Sequence, residues 1–232
     1  MENRLITKRA TSASGNLLPR LIGRATLLLI IATGTAMAYE EPEFELLETV
    51  DDYEIRRYAA YIVAEVDVQG ETMADAGNDA FRLLAGYIFG ANEPGAKMKM
   101  TAPVESRSTR DGQRMKMTAP VESRRATDGE SAYTYAFVME RQYTLDSLPK
   151  PLEPSIRLVE RSPRVMAVRR YSGGWSDKNY RKNEALLIEA LQGASITTIG
   201  APELARYNSP FTPWFMRRNE VMIAIDWPQQ VP

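Results

Sequence analysis

The sequence predicts an α+β protein made of two similar strand-helix-strand halves. Three observations carry that prediction. Short runs with an apolar residue at every second position read as half-buried strands, and two longer segments carry apolar residues at helical spacing. Both patterns recur when the chain is shifted by 103 residues, the mark of an internal duplication.

The first 38 of the 232 residues stand apart. Arg4, Lys8, Arg9, Arg20 and Arg24 precede the uncharged stretch ATLLLIIATGTAMA, which ends in Ala36-Met37-Ala38, a small-x-small cleavage pattern. A secretory signal peptide over residues 1–38 is expected, and residues 39–232 then form a single domain, periplasmic or secreted. The apolar run of about 14 residues is short of the roughly 20 that span a bilayer, so a retained anchor is the weaker reading. No stable membrane anchor is expected after cleavage. A buried core helix is weaker still, because the run has no polar face.

Within the domain the halves cover about 45–148 and 155–228. Residues 61–66 (YIVAEV) read as a strand, as do residues 164–169 (RVMAVR) at the 103-residue offset, and Gly70 falls on Gly173. A helix is expected after each: over about 72–89, with Phe81, Leu84, Tyr87 and Ile88 on one face, and over about 177–192, with Tyr180, Leu187, Ile188 and Leu191. The octapeptide MKMTAPVE follows the first helix twice, at 98–105 and 115–122. Each copy alternates apolar and polar residues and reads as a strand. Between them Asp111-Gly112 is a good turn pair, and a reversal there sets Val104 opposite Ala119 and Ala102 opposite Val121. Pro103 and Pro120 cannot donate a ladder hydrogen bond, which sends this hairpin to an edge or a bulge. Residues 133–140 (YTYAFVME) close the first half. Residues 220–227 (EVMIAIDW) close the second, with Val221, Ile223, Ile225 and Trp227 on one face. The Pro-rich LPKPLEP at 148–154 reads as a short stiff linker that cannot continue a sheet.

Composition narrows the function. Without residues 1–38 the chain keeps 24 Lys+Arg against 29 Asp+Glu, a net charge of −5, which argues against nucleic acid as the main partner. There is no Cys and no His. Disulfides, thiolate sites and the Ser-His and Cys-His arrangements are excluded, and an enzyme is not expected. A carboxylate pair such as Glu65 with Glu160 is the remaining catalytic arrangement, and scattered acids are normal. Gly173-Gly174 follows a strand, but the GxGxxG phosphate-loop pattern is absent.

Several signatures in order resemble the SOUL heme-binding protein family: YEIRRY at 53–58, AFRLLAGYIFGAN at 80–92, the doubled MTAPV, QYTLDSLPKP at 142–151, VMAVRRYSGGW at 165–175 and YNSPFTPWFMRRNEV at 207–221. The resemblance covers roughly residues 45–227. It implies a distorted antiparallel β-barrel with two flanking helices, built from two similar halves. It also implies that heme or another tetrapyrrole is bound in a shallow hydrophobic groove beside the first helix.

On that resemblance the candidate groove residues are Phe81, Leu84, Ala85 and Ile88 of the helix and Met98, Met100, Met115 and Met117 of the repeat. Ordinary core packing is the competing reading for all eight. Lys97, Lys99 or Arg82 could meet the propionates. Burying a few hundred Å² of macrocycle at about 25 cal/mol per Å² already supports micromolar binding. The chain departs from expectation at the iron: without His or Cys, an axial ligand must be Met, Tyr or Lys. The expected function is thus an exported tetrapyrrole binder that holds its ligand mainly by apolar contact. The alternative is a binding domain for another apolar small molecule or a protein partner, with heme binding incidental or lost. For Arg217 to Val221 (RRNEV) a structural ion pair is expected. Tyr207, Trp214 and Phe215 could lie over a ligand or cap the end of the fold.

Overall fold

The computed structural model describes residues 39–93, 112–126 and 132–228. Along these run β1 (Phe44–Val50), β2 (Tyr53–Tyr58), β3 (Tyr61–Gln69), α1 (Met73–Ile88), β4 (Asn92–Glu93), β5 (Val121–Arg125), β6 (Ala132–Val138) and β7 (Lys150–Pro151). They are followed by β8 (Arg157–Arg161), β9 (Arg164–Tyr171), α2 (Asp177–Gly193), β10 (Thr198–Arg206), a 3₁₀ turn (Trp214–Met216) and β11 (Asn219–Ile225).

Both helices start where the chain supplies a cap. The Thr72 hydroxyl oxygen accepts from the Asp75 amide at 3.2 Å, and the Ser176 hydroxyl oxygen from the Asn179 amide at 3.3 Å. Gly90, at φ 118°, turns the chain out of α1, and the Ala91 amide closes back on the Gly86 carbonyl. The glycines that the 103-residue offset aligns do the same job: a Cβ on Gly70 would lie 2.8 Å from Ala76, and one on Gly173 would lie 2.7 Å from Asn179. Each lets the incoming strand pass against the first turn of its helix.

Nine strands form one antiparallel sheet in the order β1-β2-β9-β11-β10-β5-β6-β3-β8. From the central β10/β5 pair, the order outward is β10-β11-β9-β2 on one side and β5-β6-β3-β8 on the other. On each side the chain runs strand, helix, then two strands. The expected barrel does not close: among the described residues β1 and β8 end the sheet and no ladder joins them. The curl has another origin. Tyr58 faces Arg164 in the β2/β9 pair and Tyr61 faces Arg161 in the β3/β8 pair, so one register runs unbroken through Ala59-Ala60 and Ser162-Pro163. A single two-stranded ribbon bends at that corner and serves both ends of the sheet.

Two further expectations are corrected. The second MKMTAPVE copy is mostly not a strand: only Val121 and Glu122 enter β5, directly after the cis Ala119–Pro120 bond, where the missing proline donor no longer matters. Residues 115–120 are a strap instead. Their amides reach the Ile88 carbonyl from Met115, the Glu40 carbonyl from Ala119 and a Glu140 carboxylate oxygen from Lys116. The sheet neighbours of Val121 are Arg206 and Phe137. The first copy at 98–105 and the Asp111 turn lie outside the described residues. The Pro-rich 148–154 segment is also docked rather than a free spacer. Lys150–Pro151 pairs with Asn92–Glu93, and the Tyr87 hydroxyl donates to the Pro149 carbonyl at 2.8 Å.

The helices lie on one face of the sheet. α1 packs Met73, Ala76, Ala80, Leu84, Tyr87 and Ile88 onto Ala64 and Val66 of β3 and Tyr133, Tyr135 and Phe137 of β6. α2 packs Leu187 and Leu191 onto Ile55, Ala167, Val221 and Ile223. The alternate residues of the same strands (Tyr58, Tyr61, Val63, Ala136, Val138, Met166, Val168, Ala205 and Met222) meet in a second apolar cluster inside the curl.

Candidate functional site

Helix α1 presents the predicted groove residues unequally. Phe81 is 45% exposed and stands edge-on to Phe137, ring centroids 5.4 Å apart. Leu84 and Ile88 are fully buried beneath it, and Ala85 nearly so. Met115 is buried in the same cluster and Met117 packs half-buried against it. Six of the eight candidates therefore converge on one patch of α1 and its floor, with Phe81 as the aromatic at the surface. Met98 and Met100 lie outside the described residues, as do Lys97 and Lys99. Phe89, at the end of α1, is also exposed. Arg82, one position along from Phe81, is exposed and reaches Asp79 at 3.4 Å.

A second apolar surface is the β10–β11 loop. Phe211, Trp214, Phe215 and Met216 are all exposed, Phe211 at 94%. Arg217 braces this loop from inside, donating to the Thr212 and Pro210 carbonyls at 2.8 Å each. Trp214 and Phe215 pack edge to face at 5.7 Å, and the Gly173 amide donates to the Trp214 carbonyl. Tyr207 is not part of the exposed tip. Its hydroxyl donates to Glu220 at 2.8 Å, inside the curl.

The inner end of the sheet holds charges. Glu220, fully buried, accepts from Arg56 at 3.0 Å, from Tyr207 and from Arg218 at 2.9 Å, and Arg218 continues to Glu41. The expected RRNEV ion pair is thus present as Arg218–Glu220. On the other side of the apolar cluster, Arg164 grips Glu203 with two bonds of 2.8 and 2.9 Å, and Glu65 accepts from Arg124, Arg157 and Arg161. Glu122 accepts from the Tyr61 hydroxyl at 2.7 Å, while its second oxygen has no partner and borders a void of about 10 Å³. Burial and the nearby Glu203 charge push its carboxyl up to about 7. Glu65 and Glu160 do not converge: Glu65 points into the curl, and Glu160 lies on the opposite, exposed side of β8.

A larger cavity, about 150 Å³, opens between the first turns of α1 and α2. Met73, Tyr133 and Tyr180 line it together with Arg125, Arg181, Asp177 and Glu184. Its size and charge do not suit a macrocycle, which needs several hundred Å³ of largely apolar space.

The ligand set available to an iron is narrow. Of the described methionines, Met73, Met115, Met139, Met166 and Met222 are buried, Met117 is half-buried and Met216 is exposed. Burial pushes the phenols of Tyr87, Tyr135 and Tyr180 up and holds them in the neutral form, and Tyr58 reaches about 12. No three His, Cys, Asp or Glu side chains are placed to hold a metal among the described residues.

These features define a small antiparallel α+β domain whose exposed aromatics form its candidate site. The chain belongs to the SOUL heme-binding protein family, whose pattern matches residues 39–224. No curated protein matches it significantly in sequence. Among solved structures, the C-terminal domain of EcmrR is similar at 8% identity, covering 77% of this chain and 99% of that one with a TM-score of 0.55. A hydrolase from Listeria innocua is similar at 12% identity, 78% and 94% coverage and a TM-score of 0.52. An uncharacterized conserved protein from Listeria innocua is similar at 10% identity, 75% and 92% coverage and a TM-score of 0.54. At such identities the likeness is one of fold alone.

Proposed function

We propose that this is an exported tetrapyrrole-binding protein that holds heme or a related porphyrin by apolar contact and without histidine ligation. Family membership supports the ligand class. The observation that carries the site is Phe81, a large aromatic held out of the core on α1 above Leu84, Ala85 and Ile88, with Met115 and Met117 beside them. Met98 and Met100 of the first repeat complete the groove in this reading. Stacking on Phe81 and burial on that floor supply the affinity. The basic, then apolar, segment of residues 1–38 supports export.

Hemin and iron-free protoporphyrin titrated into the protein, followed by Soret absorbance and tryptophan quenching, test this directly. Comparable micromolar binding of both is expected, weakened about tenfold by Phe81→Ser. Tight binding of hemin alone would contradict binding without ligation and direct attention to methionine or tyrosine. Saturable binding of neither would sink the proposal in favour of another apolar ligand or a protein partner, the reading that the missing histidine favours.

A further inference from the structure

Four large apolar side chains within six residues stand out from the β10–β11 loop, and nothing in the tetrapyrrole reading uses them. Monomeric proteins rarely leave such a cluster in water without a use for it. The loop is not slack. Pro210 and Pro213 limit its backbone, Trp214–Met216 closes a 3₁₀ turn, the Phe211 amide donates to the Ser209 hydroxyl, and Arg217 holds two of its carbonyls. Several of its polar groups are thereby paired within the loop, and Phe211, Trp214, Phe215 and Met216 are left exposed.

The exposure and chemistry of the cluster select its partner. Phe211, Trp214, Phe215 and Met216 are each 60% or more exposed and line neither cavity described above. Trp and Phe are the side chains that settle at the boundary between headgroups and acyl chains. The surroundings match an anionic bilayer. Through the Gly173–Trp214 hydrogen bond and the Arg217 guanidinium, 4.3 Å from the centre of the Trp175 ring, the tip is tied to the start of α2. There Lys178, Arg181 and Lys182 are exposed, with Asp177 as the acid of the first turn. This local basic edge contrasts with the acidic balance of residues 39–232. Among the described residues no helix is long and apolar enough to cross a membrane.

We propose that the 209–217 loop is a preformed docking tip that inserts Phe211, Trp214, Phe215 and Met216 into the interface of an anionic lipid bilayer. The expected export signal at residues 1–38 would bring the domain to such a surface.

The chain has no cysteine, so a single introduced thiol can be labelled uniquely. Phe211→Cys carrying a polarity-sensitive fluorophore is mixed with vesicles of equal phosphatidylglycerol and phosphatidylcholine, beside Ser155→Cys labelled on an exposed turn. A blue shift at position 211 and none at 155 is expected. Replacing both Trp214 and Phe215 by Ser in the labelled chain should lower the vesicle partition coefficient about tenfold or more, and pure phosphatidylcholine should bind more weakly. Equal shifts at 211 and 155, as adsorption through the N-terminal segment would give, overturn the proposal. So does the absence of any shift at 211, the result expected if the tip instead seats in a protein partner. Because hemin titration probes Phe81 on α1, its failure and the failure of vesicle docking are separately visible.

Discussion

The two faces of the sheet are built on different physics. The face under the helices is mainly apolar: α1 and α2 close over Ile55, Ala64, Val66, Tyr135, Phe137, Val221 and Ile223. The face inside the curl is equally shielded from water but carries Arg56, Glu65, Glu122, Glu203 and Glu220 around its apolar centre. Shielding therefore does not imply an oily interior. Where a ribbon bends back on itself, strand residues that a flat sheet would expose are enclosed, and their charges must find partners.

The largest effect should come from the inner face. Glu220→Ala leaves Arg56, itself 4% exposed, without its buried counter-charge, and is expected to cost about 3–5 kcal/mol in urea unfolding. The double change Arg56→Met with Glu220→Leu should recover much of that loss, since an apolar pair of similar volume removes the stranded charge. A cost of Glu220→Ala below about 1 kcal/mol would mean that water reaches the inner face and would erase the contrast.

On the helix side Leu84→Ala opens a cavity under α1 and should cost about 3 kcal/mol, with the unfolding slope unchanged. A loss under about 1 kcal/mol would show that this face collapses freely and is less tightly packed than its burial indicates.

The smallest effect depends on pH and sharpens the comparison at one residue. The Glu122 carboxyl is pushed up to about 7 by burial and by Glu203, so the folded state holds its proton more tightly than the unfolded chain does. The stability this group contributes is complete below the unfolded carboxylate pKa and is lost as pH rises through about 7. Glu122→Gln keeps the neutral shape and the acceptor for Tyr61. Between pH 5 and pH 8 it should therefore gain on the parent chain by on the order of 2 kcal/mol. Denaturant titrations at both values check this. A difference that does not move with pH would show Glu122 ionised throughout.

The legible parts of the fold were the runs dense in apolar and β-branched residues and the two segments of helical apolar spacing. Strands β3, β6, β9 and β11 and both helices come out close to the expected spans. β10 was missed because Gly200, Ala201 and Pro202 interrupt any alternation, and the sheet absorbs them by a register shift between Ile199 and Glu203. β2 was missed because Glu54, Arg56 and Arg57 make YEIRRY look exposed, although Arg56 is buried against Glu220. Of the candidate site, α1 was legible and the split between Phe81 outside and Leu84 and Ile88 inside was not. The β10–β11 aromatics were readable as apolar but not as exposed, since a composition that suits a lid suits a docking tip equally well.

By itself the sequence determined the family, the two-helix α+β class and the absence of any histidine or cysteine ligand, because these depend on residue identity and local spacing. Only the tertiary structure decided that most of the second MKMTAPVE copy is a strap, that among the described residues the barrel does not close by hydrogen bonds and that paired charges lie inside the curl. Each of those outcomes is set by partners distant in the chain, such as Ala119 with Glu40 or Arg56 with Glu220, and local pattern carries no record of them.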